Sequence, residues 1–242
     1  MKNFNYTIFF LLGVCLFTSC KPMISKQDVY GVKGVLDLQK HDFNQRPIVN
    51  LKGQWEFYWD RLLIPTDFKK PNVPKPTGFV KIPEVWNRHD IQGQTFAGQG
   101  YATYKLHVIL PDNAPQLAMK MLTFSTAAKV YVNGIKISSS GKVGTTSATM
   151  QPEYHPQIVA LPEHTRKLEI IIQVSNFYYT KGGIWDPVAL GKKKVVTTSH
   201  KRDLIFHMFF AGSICVMAFY SLLIYYIRKN DTVPLFWGFF CF

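Results

Sequence analysis

The sequence predicts an all-β domain, a β-sandwich or jelly roll, set between an N-terminal export signal and a membrane-spanning helix. Three observations predict it. Between residues 21 and 202, apolar residues alternate with polar ones in short runs broken by Pro, Gly, Asn and Asp, the period of half-buried strands rather than of helices. The first twenty residues and the stretch 204–227 are apolar and almost free of charge. All four cysteines, Cys15, Cys20, Cys215 and Cys241, lie outside 21–202, so that section has no disulfide framework to draw on. Its 182 residues are enough for one unstapled core, since domains of about 150 residues bury roughly 70% of their unfolded surface.

At the head, Lys2 precedes the apolar residues 8–17, which are closed by Thr18, Ser19 and Cys20. That charged, apolar, small-residue order is the order of a secretory signal peptide, and ten apolar residues are too few to span a bilayer. Residues 1–20 are the expected signal peptide. Leu16-Phe17-Thr18-Ser19-Cys20 also resembles a bacterial lipoprotein box, with Phe17 in place of the usual aliphatic residue, which makes Cys20 the candidate lipidation site. Plain cleavage and an uncleaved anchor are the alternatives, and each carries 21–202 across the membrane.

Within 21–202 the strands follow in order. Trp55, Phe57 and Trp59 alternate with Glu56 and Tyr58; Tyr104, Leu106, Val108 and Leu110 alternate with Lys105 and His107 up to the break at Pro111-Asp112-Asn113. Lys129-Val130-Tyr131-Val132 and Ile135-Lys136-Ile137 flank Asn133-Gly134, the pair that a type I′ hairpin turn selects because both central residues need positive φ. Leu168-Glu169-Ile170-Ile171-Ile172-Gln173-Val174 supplies a further strand, and no segment of 21–202 has a helical period. Trp55, Phe57, Trp59 and Tyr131 are expected in the core because they alternate within strands.

The 24 residues 204–227 carry no Asp, Glu, Lys or Arg and are bounded by His200-Lys201-Arg202-Asp203 and Arg228-Lys229. At about 1.5 Å per residue they cover a hydrocarbon core of roughly 30 Å, so residues 203–228 are the expected transmembrane helix. His207 lies one turn inside it, near the interface. Lys192, Lys193, Lys194, Lys201 and Arg202 outnumber Arg228 and Lys229 across this helix, so charge counting alone would put the β domain inside. An export signal outweighs the count, because long domains translocate largely regardless of charge. Residues 234–242 are aromatic, uncharged and too short to cross; they read as the truncated start of a second membrane helix, and the chain as a fragment of a longer membrane protein.

Chemistry-bearing motifs are sparse. The sequence has no His-Glu-x-x-His, no Cys-x-x-Cys and no Gly-x-Ser-x-Gly. Gly98-Gln99-Gly100 precedes a strand, whereas a dinucleotide fingerprint must open a helix. Glu153 and His155 would share one strand face, as a metal or acid–base pair or as a solvated surface pair with no third partner nearby. No metal, cofactor or catalytic residue is expected. Residues 21–202 hold 25 Lys and Arg against 13 Asp and Glu. For an exported, membrane-tethered domain with its cations spread singly, this charge points to an envelope-facing surface and not to nucleic acid.

Five motifs in series, Leu51-Lys52-Gly53-Gln54-Trp55-Glu56-Phe57, Ile82-Pro83-Glu84-Val85-Trp86-Asn87, Gly100-Tyr101-Ala102-Thr103-Tyr104-Lys105-Leu106, Val130-Tyr131-Val132-Asn133-Gly134 and Gly182-Gly183-Ile184-Trp185, carry a resemblance over 32–242. They resemble the extracellular module of bacterial seven-transmembrane receptors with diverse intracellular signalling modules. The resemblance implies a galactose-binding-like jelly roll, similar to the sugar-binding domain of β-galactosidase-like hydrolases. It implies neither the output domain, for which the chain has no counterpart, nor hydrolysis, since the barrel bearing the catalytic carboxylates is absent.

The function expected on this basis is an extracytoplasmic sensor in the bacterial cell membrane, binding a carbohydrate or other small ligand. A module that contacts a partner membrane protein without a small ligand is the alternative, and a non-catalytic accessory domain of glycosidase type a third. Loops that mix aromatic rings with amides and carboxylates suit sugars. Trp86, Asn176, Tyr178 and Trp185 are the candidate ligand-binding residues, and a concave loop end lined by Trp185, Tyr178 and Asn176 is the arrangement a ligand sensor needs.

Overall fold

A computed structural model of the chain describes residues 29–91, 93–121, 124–163, 165–228 and 232–240. The expected signal peptide, including Cys20, lies outside the described residues. The chain is mostly β-sheet and carries one long apolar helix toward its C-terminus, Lys193–Ile227.

The larger sheet has eight strands. Its central strand, Gly100–Ile109, pairs antiparallel with Lys167–Asn176 on one side and with Lys52–Trp59 on the other. Beyond Lys167–Asn176 come Ala127–Val132 and Ile135–Ser140; Gly78–Ile82 and Tyr30–Gly31 flank Lys52–Trp59, and Val35–Asp37 pairs parallel with the end of the central strand. The alternation in the central strand buries Ala102, Tyr104, Leu106 and Val108 on one face. Its other face is covered as well. Thr103 Oγ1 donates to the Arg61 carbonyl at 2.7 Å and accepts from the Leu63 N–H at 2.9 Å. Lys105 Nζ lies 3.8 Å from Glu56, 3.7 Å from Glu169 and 4.3 Å over the Phe68 ring. A buried ammonium needs such partners, since its desolvation costs more than one attraction returns.

A four-stranded sheet, in the order Gln157–Ala160, Leu117–Met121, Ala189–Lys192 and Ile48–Asn50, faces the first. Leu117, Met119, Met121, Leu190 and Val49 join Trp55, Phe57, Trp86 and Tyr104 in one core shared by both sheets. Each such side chain gains about 1.5–3 kcal/mol on full burial, before conformational entropy is set against it. Trp55 and Phe57 are fully buried, Trp59 and Tyr131 half-buried. The hairpin turn is at Asn133 and Gly134, with φ of 49° and 87°. The Asn133 side chain also ties the turn to the adjacent strand, accepting from the Glu169 N–H at 2.7 Å and donating to the Lys167 carbonyl at 3.1 Å.

The long helix begins at Lys193, ten residues ahead of the boundary read from the sequence, directly out of strand Ala189–Lys192. Residues 193–202 are polar except for the adjacent pair Val195, half-buried, and Val196, buried, and two neighbouring valines carry no helical period that could reveal this extension. The sheet holds it instead. Lys193 N–H donates to the Gln116 carbonyl at 3.0 Å, and Asp203 meets Lys120 at 3.3 Å. By length and composition this helix is able to cross a membrane, and its apolar side chains over 204–227 are largely exposed. His207, on this helix, places Nδ1 2.6 Å from the Asp203 carbonyl. A short helix, Val233–Phe240, packs back on it at the buried small residues Ala218 and Gly238, the kind of contact that lets membrane helices approach closely.

Candidate ligand-binding groove

Strand Leu117–Met121 leads to Phe124–Ser125, which pairs antiparallel with Gly183–Ile184 and so brings Phe124 opposite Ile184, the residue before Trp185. Ser125 Oγ donates to the Lys181 carbonyl at 2.9 Å, fastening the loop that carries Tyr179. On the opposite bank, Glu153 N–H donates to the Thr126 carbonyl at 3.2 Å and Glu153 Oε2 accepts from the Gly141 N–H at 2.9 Å. These bonds set Pro152, Glu153 and Tyr154 against the strand. Between the banks lies an open groove of about 340 Å³, walled by Phe124, Tyr154, Tyr179 and Trp185, with Ser125, Thr126 and Glu153 as its polar members.

The rings of the groove face solvent. Trp185 is 40% exposed and Tyr154 72%, and Trp185 meets Tyr179 edge to face with centroids 6.5 Å apart. Exposed aromatic faces are costly in water and stack well on the C–H faces of sugars, while a carboxylate accepts hydroxyl protons. Glu153 has Oε1 free of the Gly141 contact and fits the second role.

Of the four residues proposed from the sequence, Trp185 lies in the groove. Tyr178 is exposed but not on the groove wall. Asn176 is fully buried behind it: its amide donates to the carbonyls of Gly98 at 2.7 Å and Tyr179 at 2.8 Å, and its Oδ1 accepts from the Tyr179 N–H at 3.1 Å. It closes the loop that positions Tyr179. Trp86 is 0% exposed; its indole N–H donates to the Ala97 carbonyl at 2.8 Å and its ring meets Trp59 edge to face at 5.2 Å. Gly182 lies so close that a Cβ there would collide with the Trp86 ring at Cζ2. The ring of Trp86 therefore presents no face to a ligand, because the 98–100 and 180–183 loops close over it.

Sequence reasoning did not single out Phe124, Tyr154 and Tyr179. Tyr179 stands beside Tyr178 in the same aromatic run, and Tyr154 follows Pro152 and Glu153 in an otherwise polar stretch, a signal that an exposed ring leaves. Glu153 and His155 lie on an irregular loop and not on a strand, and no cluster of three His, Cys, Asp or Glu suited to a metal ion occurs among the described residues. A second hollow, of about 520 Å³, is lined by Asp37, Lys40, His41, Asp42 and Arg46. Its carboxylates accept from nearby backbone N–H groups, Asp37 from Gln39 at 2.9 Å and Asp42 from Asn44 at 2.7 Å, which shapes the turns.

No family model and no curated protein matches the chain. Among solved structures it is similar to the uncultured Clostridium sp. beta-glucuronidase, at 16% identity over 60% of this chain and 29% of that one, with a TM-score of 0.43. It is similar to the Ruminococcus gnavus beta-glucuronidase at 14% identity over 59% and 27%, TM-score 0.45, and to a putative beta-galactosidase from Bacteroides fragilis at 20% over 59% and 22%, TM-score 0.41. The chain spans less than a third of the length of these enzymes.

Proposed function

We propose that the protein is the extracytoplasmic sensing part of a bacterial membrane signalling receptor, of the seven-transmembrane kind its motifs resemble. On this proposal the β domain is a galactose-binding-like jelly roll, residues 1–20 export it, and the long helix anchors it in the cell membrane. The groove binds a carbohydrate, with Trp185, Tyr179 and Tyr154 as stacking faces and Glu153 as hydroxyl acceptor. The observation that carries this is the set of solvent-facing rings around one carboxylate in a groove that the backbone hydrogen bonds hold open. A route inward follows from the covalent order. Trp185 stands four residues before strand Ala189–Lys192, which passes without a loop into the long helix. A ligand that shifts Trp185 therefore biases the helix, provided that it binds two placements of that strand differently.

The test is a screen of the full chain in lipid nanodiscs against a glycan library. At least one glycan binds saturably, and Trp185→Ala and Tyr179→Ala each weaken it at least about tenfold, the loss of roughly 1.4 kcal/mol. No glycan binding, or binding that survives both substitutions together, overturns the proposal.

A further inference from the structure

The path of the long helix says which end of the β domain faces the bilayer. The helix starts beside Gln116, where Lys193 N–H meets the Gln116 carbonyl, and ten residues later Asp203 meets Lys120. It therefore runs in the same sense as strand Leu117–Met121. The lengths agree, with about 15 Å of helix against about 13 Å of strand between the two contacts. That strand leads to Phe124, and the helix leaves the domain on the same side. Gln157, the residue paired with Met121, marks the same end, and Tyr154 stands three residues before it. Phe124 is at most about 13 Å beyond Lys120 along the chain, which the helix covers in about nine residues. The groove thus stands level with residues 204–212, the start of the uncharged span.

Four exposed rings are gathered at this end: Tyr154, Tyr178, Tyr179 and Trp185. Exposed cations accompany them, Lys142 and Lys181 on the loops and Lys201 and Arg202 on the helix just before the span. Tyr and Trp favour the boundary between headgroups and acyl chains, where the ring is apolar and the hydroxyl or indole N–H stays wet, and cations add attraction to anionic lipid.

We infer that this aromatic end of the β domain rests on the bilayer surface, with Trp185 and the three tyrosines at the headgroup–acyl boundary. The groove then opens into the headgroup layer, and a ligand reaches it from there. The inference rests on the membrane-anchored part of the proposed function and not on the ligand being a sugar.

Trp185 and Trp237 are the exposed tryptophans; Trp55 and Trp86 are buried and Trp59 half-buried. The test uses the full chain in bilayers of lipid brominated near the headgroup end of the acyl chain, which quenches indoles within contact. Trp237→Phe leaves Trp185 as the reporter, Trp185→Phe leaves Trp237 on the short helix, and the double variant gives the background. The expected result is loss of emission beyond background in both single variants. Quenching of Trp237 without quenching of Trp185 overturns the seat on the bilayer and leaves the membrane anchor standing. Quenching of neither overturns both, and quenching of Trp185 alone supports the seat. A glycan screen that finds nothing leaves these outcomes unchanged, so the two proposals fail separately.

Discussion

Tyr104 sits at the centre of the shared core with no exposed surface, and its hydroxyl has no hydrogen-bond partner among the described residues. Burial alone raises its pKa far above the usual tyrosine range, so it is a neutral phenol at every physiological pH. A buried hydroxyl without a partner costs about 1–3 kcal/mol, whereas the ring packs against Phe57 at 5.1 Å whether or not it bears oxygen. Tyr104→Phe is therefore expected to raise stability by about 1 kcal/mol, seen as a rise of roughly 2–4 °C in the thermal midpoint. A lower midpoint would mean that the hydroxyl is satisfied by water. The burial of Tyr104 is legible in the sequence, because it falls on the apolar phase of a strand; its unpaired hydroxyl is not, since that depends on what the opposite sheet places against it.

At the scale of elements, the strands were legible where side chains report on one buried face, as in Lys52–Trp59 and Gly100–Ile109, and at Asn133-Gly134, where backbone stereochemistry selects the residues. The helical extension over 193–202 was not, because its support comes from hydrogen bonds and one buried valine. Nor were the loops that enclose Trp86. Asn176-Phe177-Tyr178-Tyr179-Thr180-Lys181-Gly182-Gly183 has the composition of a binding loop, yet its glycine at 182 serves a close approach to the Trp86 ring. Gly182→Ala forces that ring or the loop to move, at a cost of about 1–3 kcal/mol typical of overpacking. The expected outcome is a lower thermal midpoint together with weaker glycan binding, since the same loop carries Tyr179. An unchanged midpoint would show that the Trp86 pocket has room to yield.

For the whole molecule, the near-zero mean hydropathy averages a charged, cysteine-free β domain with the apolar segments on either side of it. The groove could not be read as a unit from the sequence, because Phe124, Tyr154, Tyr179 and Trp185 meet only after three loops converge on one end of the sheets. Only Trp185 was singled out from that set, and it is also the wall residue nearest in the chain to the strand that becomes the helix. The central claim, that this groove binds the ligand, is tested most directly by the emission of Trp185 in the Trp237→Phe chain in nanodiscs during titration with a binding glycan. The account predicts a change in Trp185 emission that saturates with the same midpoint as binding measured calorimetrically. Full occupancy by the glycan with Trp185 emission unchanged would contradict it.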